Sequence, residues 1–132
     1  MVVLDTHVLV WWLNGDKKLS PKAKKALLKC KKQEGSIKVS AICAWEIAML
    51  VEKGRLILNM DVESWLAEVD KIPAITFIPV DVEIAIKSTK LPGAFHKDPA
   101  DRMIVSLARH LAMPLLTADQ EILNYQHVQT IW

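Results

Sequence analysis

Five carboxylates stand where their surroundings make chemistry possible. Asp5 directly follows a short apolar run, Val2-Val3-Leu4. Asp119 follows a second one, Leu115-Leu116, after Thr117 and Ala118. Asp98 and Asp101 bracket Pro99-Ala100, and Glu46 lies in an apolar stretch where Ile42, Glu46, Met49 and Leu50 share one helical stripe, with Val39 and Cys43 adjoining. An acid on an otherwise apolar face needs a cation or a hydrogen-bonding network, because burying a lone carboxylate is costly. Several carboxylates converging with no matching cluster of Arg or Lys repel one another. A hard divalent cation holds such a set most cheaply, and Mg²⁺ or Mn²⁺ prefers oxygen ligands. Three or four acids around such an ion suit phosphodiester hydrolysis by a metal-activated water.

Convergence depends on the elements that carry these residues. Val2-Val3-Leu4 is expected to be a strand, and a helix follows Asp5. Ser20 caps a helix with Pro21 at its first position, running to about Glu34 before Gly35. Ile37–Val39 is a second strand, and Ser40 caps a helix to about Lys53. A helix spans Asp61 to Lys71. Thr76–Val80 is a third strand, and Asp81 caps a helix to about Lys90. Leu91–Lys97 is a loop, and Asp98-Pro99 opens a helix to about Leu111. Pro114–Thr117 is a fourth strand, a short helix follows Asp119, and Val128–Trp132 is the last strand. Short β-branched runs alternating with longer helices predict an α/β fold, a mostly parallel sheet sandwiched between helices. Right-handed crossovers then bring every strand's carboxyl end, and the start of every following helix, to one edge. Asp5, Glu46, Asp101 and Asp119 all fall at or near that edge.

Each acid also has an ordinary structural role open to it. Asp119 suits a helix N-cap, Asp101 complements a helix dipole, and Asp5 ends a strand where turn acids are common. Asp98 fits an N-cap better than any catalytic part, with Pro99 behind it. Glu46 has the weakest such alternative.

The 132 residues are 52% hydrophobic and 24% charged, with 4 Gly and 6 Pro, which suits one domain over residues 1–132 and excludes disordered or collagen-like classes. No apolar run is long enough to cross a membrane, and no basic segment precedes the first apolar run as a secretory signal requires. Cys30 and Cys43 make no disulfide framework and read as buried thiols, which points to the cytoplasm. Eight of the 17 basic residues lie between Lys17 and Lys32, where there is no acid, so a basic patch sits on an otherwise acidic chain. A solvated helix face and a phosphate-attracting surface both account for it.

Taken together, "VVLDTHVLVWWLNGD", "VSAICAWEIAMLVEKGRL", "HKDPADRMIVSLARHLAMPLLTAD" and the closing "VQTIW" resemble a PIN-domain nuclease, specifically the VapC-type toxins of type II toxin–antitoxin systems. The segments span nearly the whole chain in family order. The resemblance implies a three-layer α/β/α sandwich and Mg²⁺- or Mn²⁺-dependent endoribonuclease activity. It implies Asp5, Glu46, Asp101 and Asp119 as the four site acids and metal ligands. It gives Thr117 and Thr6 supporting roles in orienting a carboxylate or a water. It also implies a cognate antitoxin covering the acidic edge, and a homodimer.

Two other edge-acid folds fit less well. A phosphoacceptor receiver wants an acid pair after the first strand and a Lys after the last, and a haloacid-dehalogenase-type phosphatase wants Asp where His7 stands. A catalytically silent PIN fold that binds RNA or protein is the remaining alternative, and the intact four acids argue against it. His7 reads as a helix-start histidine with a structural hydrogen bond. His96 and Arg102 flank the Lys97–Asp101 turn, where either can meet substrate phosphate and Arg102 can equally pair with an acid. Trp45 and Trp65 suit a core or an interface. Trp11 and Trp12 cannot both be hidden, since adjacent helical residues face different directions.

Overall fold

The computed structural model describes all of residues 1–132. In chain order the elements are β1 (Val2–Leu4), α1 (Thr6–Leu13), α2 (Pro21–Lys31), β2 (Ile37–Ser40), α3 (Ala41–Glu52), α4 (Val62–Asp70), β3 (Ile75–Ile78), α5 (Val82–Thr89), α6 (Pro99–Leu111), β4 (Leu115–Leu116), α7 (Gln120–Leu123) and β5 (Thr130–Ile131). Every strand pair is parallel, in the order β3-β2-β1-β4-β5. The sheet is thus wholly parallel where a mostly parallel one was expected. Val2, Val3 and Leu4 are all buried, so β1 is covered on both faces, as its unbroken apolar run requires. The result is a three-layer α/β/α sandwich around one cluster of 27 buried apolar side chains.

Strand order reverses between β1 and β4. Successive crossovers leave β1 in one direction and reach β4 from the other, so right-handed connections place helices on opposite faces. Ligands of open parallel sheets usually bind at such a reversal, outside the carboxyl ends of the strands. Asp5 follows β1 there, and Thr117 follows β4.

The fourth strand is shorter than expected, Leu115–Leu116 in place of Pro114–Thr117, and three further elements differ in their bounds. The third strand starts earlier and stops at Ile78, because Ile37 N–H donates to Ala74 O (2.9 Å) and Pro79 has no N–H for the ladder. The last strand shrinks to Thr130–Ile131 because β4 offers only Leu115 and Leu116 as partners. The lysine-rich helix stops at Lys31. Its last turn is closed by Gln33 N–H on Cys30 O, and the Ser36 hydroxyl also donates to that carbonyl. Gly35, at φ +69°, belongs to the turn into β2 and not to the helix end.

The far end of α6 is closed by a residue with a side chain in the left-handed region. Ala112 has φ 53° and donates its N–H back to Ala108 and Arg109. Because a left-handed alanine is strained by roughly 1–2 kcal/mol, while glycine costs more unfolded-state entropy, Ala112→Gly is expected to stabilise the fold by about 0.5–1 kcal/mol. A lower melting temperature for this variant would contradict that.

Candidate active site

Asp5 caps α1, with Oδ1 accepting from Thr6 N–H at 2.8 Å. Its Oδ2 accepts from the Thr117 hydroxyl at 2.7 Å. The same hydroxyl oxygen accepts from Asp119 N–H at 3.1 Å, so Thr117 ties the end of β4 to both acids. Asp119 caps α7 through Ile122 N–H (3.2 Å). The cap role read for Asp119 is therefore real, and Asp5 caps a helix as well as ending its strand. Asp5, Thr6 and Thr117 are buried. Burial pushes the Asp5 carboxyl above its ordinary range, partly offset by the hydrogen bonds from Thr117 and Thr6.

Asp101 lies in the first turn of α6. Its N–H donates to Asp98 Oδ1 (2.9 Å), so Asp98 is the N-cap that its place before Pro99 predicts. The Asp101 side chain is 14% exposed. Burial first, then the negative charges of Asp5, Asp98, Asp119 and Glu46, push its carboxyl up to about 8. The sequence-predicted acids are therefore brought within electrostatic reach of one another. Asp98→Asn is expected to shift folding stability by no more than about 0.5 kcal/mol, since Asn caps as well as Asp, while lowering the Asp101 pKa by removing a charge. Thermal unfolding and an NMR titration of the carboxyls check both. A loss above about 1 kcal/mol would mean Asp98 does more than cap.

The placement of Glu46 corrects the sequence reading. Cys43 and Ile47 are the fully buried positions of α3, roughly one residue round from the expected Ile42–Glu46–Met49–Leu50 stripe. Ile42, Glu46 and Met49 instead line a cavity shared with Trp45, Asp98, Pro99 and Ala100. Glu46 is thus half-buried at the rim and not in the core. Desolvation is the chief cause of its raised pKa, with Thr6 and His7 opposing and Asp5 and Asp98 adding. Thr6 Oγ1 is buried without a fully formed hydrogen bond, though its dipole favours ionised Glu46.

The tightest group of donors includes a residue that the sequence reading had left at the margin. Ligand atoms of His96, Asp101 and Asp119 all lie within 4.8 Å of one another, with His96 Nε2 3.0 Å from Asp101 Oδ2. Asp5 and Glu46 stand outside this trio. His96 reaches it because the loop before α6 is pinned from behind. The Arg102 guanidinium donates to Ser88 O (2.8 Å), Phe95 O (3.1 Å) and His96 O (3.2 Å). Phe95 packs on Tyr125, whose hydroxyl donates to Pro92 O. Arg102 is thus a loop anchor and is paired with no acid. His7 is exposed at the start of α1 and makes no side-chain hydrogen bond; its ring lies 5.9 Å from Trp11.

No Lys or Arg is paired with these acids; His96 beside Asp101 is the single basic group in contact. Carboxylates that repel without a cation, beside an imidazole within coordinating distance, fit a divalent ion. Cys43 is no candidate nucleophile, because complete burial holds its thiol well above the ordinary range.

The sequence pattern that defines the PIN domain matches residues 2–128. The chain belongs to the PIN domain family. Ribonuclease VapC22 of Mycobacterium tuberculosis is 31% identical over 133 residues, which cover 99% of this chain and 98% of that protein. Among solved structures, VapBC2 from Rickettsia felis bound to a promoter DNA fragment superposes with a TM-score of 0.70 at 18% identity, covering 98% and 97% of the two chains. VapC20 of Mycobacterium tuberculosis, a sarcin–ricin loop cleaving toxin, gives 0.66 at 11% identity, covering 98% and 99%. The family resemblance read from the four sequence segments is borne out. So is the three-layer fold.

This PIN domain also leaves distinctive surfaces open. Trp45 is 56% exposed beside the Glu46 cavity, whereas Trp65 is buried. Trp11 and Trp12 are both half-buried, and Trp11 packs near Trp132. The lysines of α2 are exposed and none is within ion-pair distance of an acid.

Proposed function

We propose that this PIN domain, a single unit over residues 1–132, is a metal-dependent endoribonuclease and the toxin of a toxin–antitoxin pair. One observation carries the reading. Asp5 and Asp119 follow β1 and β4, where the strand order reverses, and Asp101, with no Lys or Arg paired to it, is pushed up to about 8 by burial and by the charges of Asp5, Asp98, Asp119 and Glu46. A divalent cation would relieve that repulsion. The full-length relationship to ribonuclease VapC22 supports RNA as the substrate.

Asp5, Asp101 and Asp119 would hold Mg²⁺ or Mn²⁺, with Glu46 as a further ligand or the residue that orients the attacking water. The bound ion supplies Lewis acidity and a lowered pKa for that water. The protein's part is positional. Thr117 fixes Asp5 and the start of α7 through one hydroxyl. Asp98 fixes the Asp101 backbone, and Thr6 favours ionised Glu46. The phosphodiester is hydrolysed in line with the 3′ oxygen leaving, and no side chain need form a covalent bond to phosphorus.

An uncontrolled ribonuclease would harm its own cell, so a cognate antitoxin is expected to cover the acidic edge, placing a cation among the carboxylates. Solved relatives of the same fold include VapBC complexes and FitAB bound to DNA. No helix is long and apolar enough to cross a membrane. We place the protein in the cytoplasm, as a homodimer. The exposed lysines of α2 would raise the local concentration of RNA.

The test is digestion of total RNA by purified, antitoxin-free protein with Mg²⁺ or Mn²⁺ and with EDTA. Discrete fragments that require metal establish the activity. Intact RNA with both ions and correctly folded protein would leave a binding module instead.

A further inference from the structure

Carboxylate oxygens are what the sequence promises at this edge, and they suit Mg²⁺ as well as Mn²⁺. The fold adds a nitrogen. His96 Nε2 is shielded from solvent and forms no hydrogen bond of good geometry, although Asp101 Oδ2 is only 3.0 Å away. A buried imidazole nitrogen with an acceptor so close would ordinarily align with it. Here the ring is placed by other contacts. Arg102 holds the Phe95 and His96 carbonyls, and Phe95 packs edge-on to the imidazole with centroids 4.5 Å apart.

The spacing of His96 and Asp101 is that of adjacent ligands in a shell. Neighbouring ligands of an octahedral ion with bonds of about 2.1 Å lie about 3.0 Å apart, and opposite ones about 4.2 Å. The His96–Asp101 distance equals the first value, and Asp119, with every ligand-atom pair of the three within 4.8 Å, stands near enough to close on a shared ion by a small movement. Building on the metal-dependent nuclease reading, we propose that His96 is itself a metal ligand with Asp101 and Asp119, and that its nitrogen makes the site select Mn²⁺ over Mg²⁺. Imidazole is a good ligand for first-row transition ions, whereas Mg²⁺ favours an all-oxygen shell. Arg102, Phe95 and Tyr125 act through His96 as positioning residues, preforming the nitrogen's place before any ion arrives.

Binding, measured without RNA, decides this. The full chain is stripped with a chelator and titrated with Mn²⁺, followed by the EPR signal of free Mn²⁺, and Mg²⁺ is then used as competitor. Pulsed EPR on the bound ion reads coupling to a ¹⁴N ligand. His96→Gln, which offers an amide oxygen at similar reach, is taken through the same steps. Wild type is expected to show the nitrogen coupling and the variant to lose it. The variant's preference for Mn²⁺ over Mg²⁺ is expected to fall about tenfold or more, with its metal-free melting temperature little changed. Bound Mn²⁺ without nitrogen coupling in the wild type would overturn the proposal, and so would unchanged coupling and preference in His96→Gln. If His96→Gln does not fold, His7→Gln decides. Coupling that survives there leaves His96 as the nitrogen donor, and coupling that vanishes overturns the assignment. RNA cleavage by the same samples keeps the two readings apart. Cleavage without nitrogen coupling removes the ligand role alone, and coupling without cleavage of any RNA removes the nuclease reading alone.

Discussion

Asp5→Asn is expected to lower RNA cleavage by about 10³-fold or more, corresponding to about 4 kcal/mol of lost transition-state stabilisation, while the protein stays folded. The substitution removes a ligand charge and almost no volume. An asparagine oxygen still accepts from Thr6 N–H, the bond that closes the start of α1. Its amide group meets the Thr117 hydroxyl, which already accepts from Asp119 N–H and has a second lone pair to offer. Desolvation opposes ionised Asp5, and the Asp5 charge in turn raises Asp101 and Glu46. Without metal, the neutral amide relieves both strains, so the variant should melt at or above the wild-type temperature. With metal, the stabilisation seen in wild type should disappear. Cleavage rate and melting temperature with and without Mn²⁺ measure both halves. A variant that keeps a tenth of wild-type activity would remove Asp5 from the site.

The metal-free protein is expected to lose stability as pH rises. The Asp101 carboxyl moves from 3.8 in the unfolded chain to about 8 in the fold, chiefly through burial and then through neighbouring charges. A raised folded-state pKa means the folded protein keeps a proton that the unfolded chain releases. The resulting stabilisation is complete below about pH 4 and is lost progressively as pH climbs to about 8. Asp5 and Glu46 shift in the same direction, so the loss should reach a few kcal/mol. Divalent metal competes with the proton for the same oxygens, so the gain in melting temperature on adding Mn²⁺ should be larger at pH 8 than at pH 5. Asp101→Asn should flatten most of the metal-free slope. A melting temperature that is level or rising from pH 4 to pH 8 without metal would contradict this account of the cluster.

The sequence alone was sufficient for the alternation of strands and helices and for the edge where the acids gather, because those follow from local signals. Val2-Val3-Leu4 has the apolar continuity of a strand covered on both faces. Ser20, Ser40, Asp81 and Asp98 each cap the helix expected of them. Parallel connectivity and handedness then bring Asp5, Asp101 and Asp119 to one edge. The N-cap role of Asp119 was legible in the sequence and the structure bears it out, whereas the cap that Asp5 makes on α1 was not read there.

Three features required the tertiary fold. The rotation of α3 about its axis places Glu46 on the rim of a cavity and Cys43 and Ile47 in the core. A helix this apolar all round offers no clear stripe, so packing against its neighbours sets the rotation. The lengths of β3 and β5 follow from which partner carbonyls and amides remain free, and a single strand's sequence does not record that. His96 enters the donor group through a loop whose shape depends on Arg102 bonding to three backbone carbonyls and on Tyr125 reaching Pro92. Those bonds link residues up to 33 positions apart. Local propensity determined which elements form and which acids face the edge. Only long-range packing and hydrogen bonding decided which of those acids stand closest together, and which histidine stands with them.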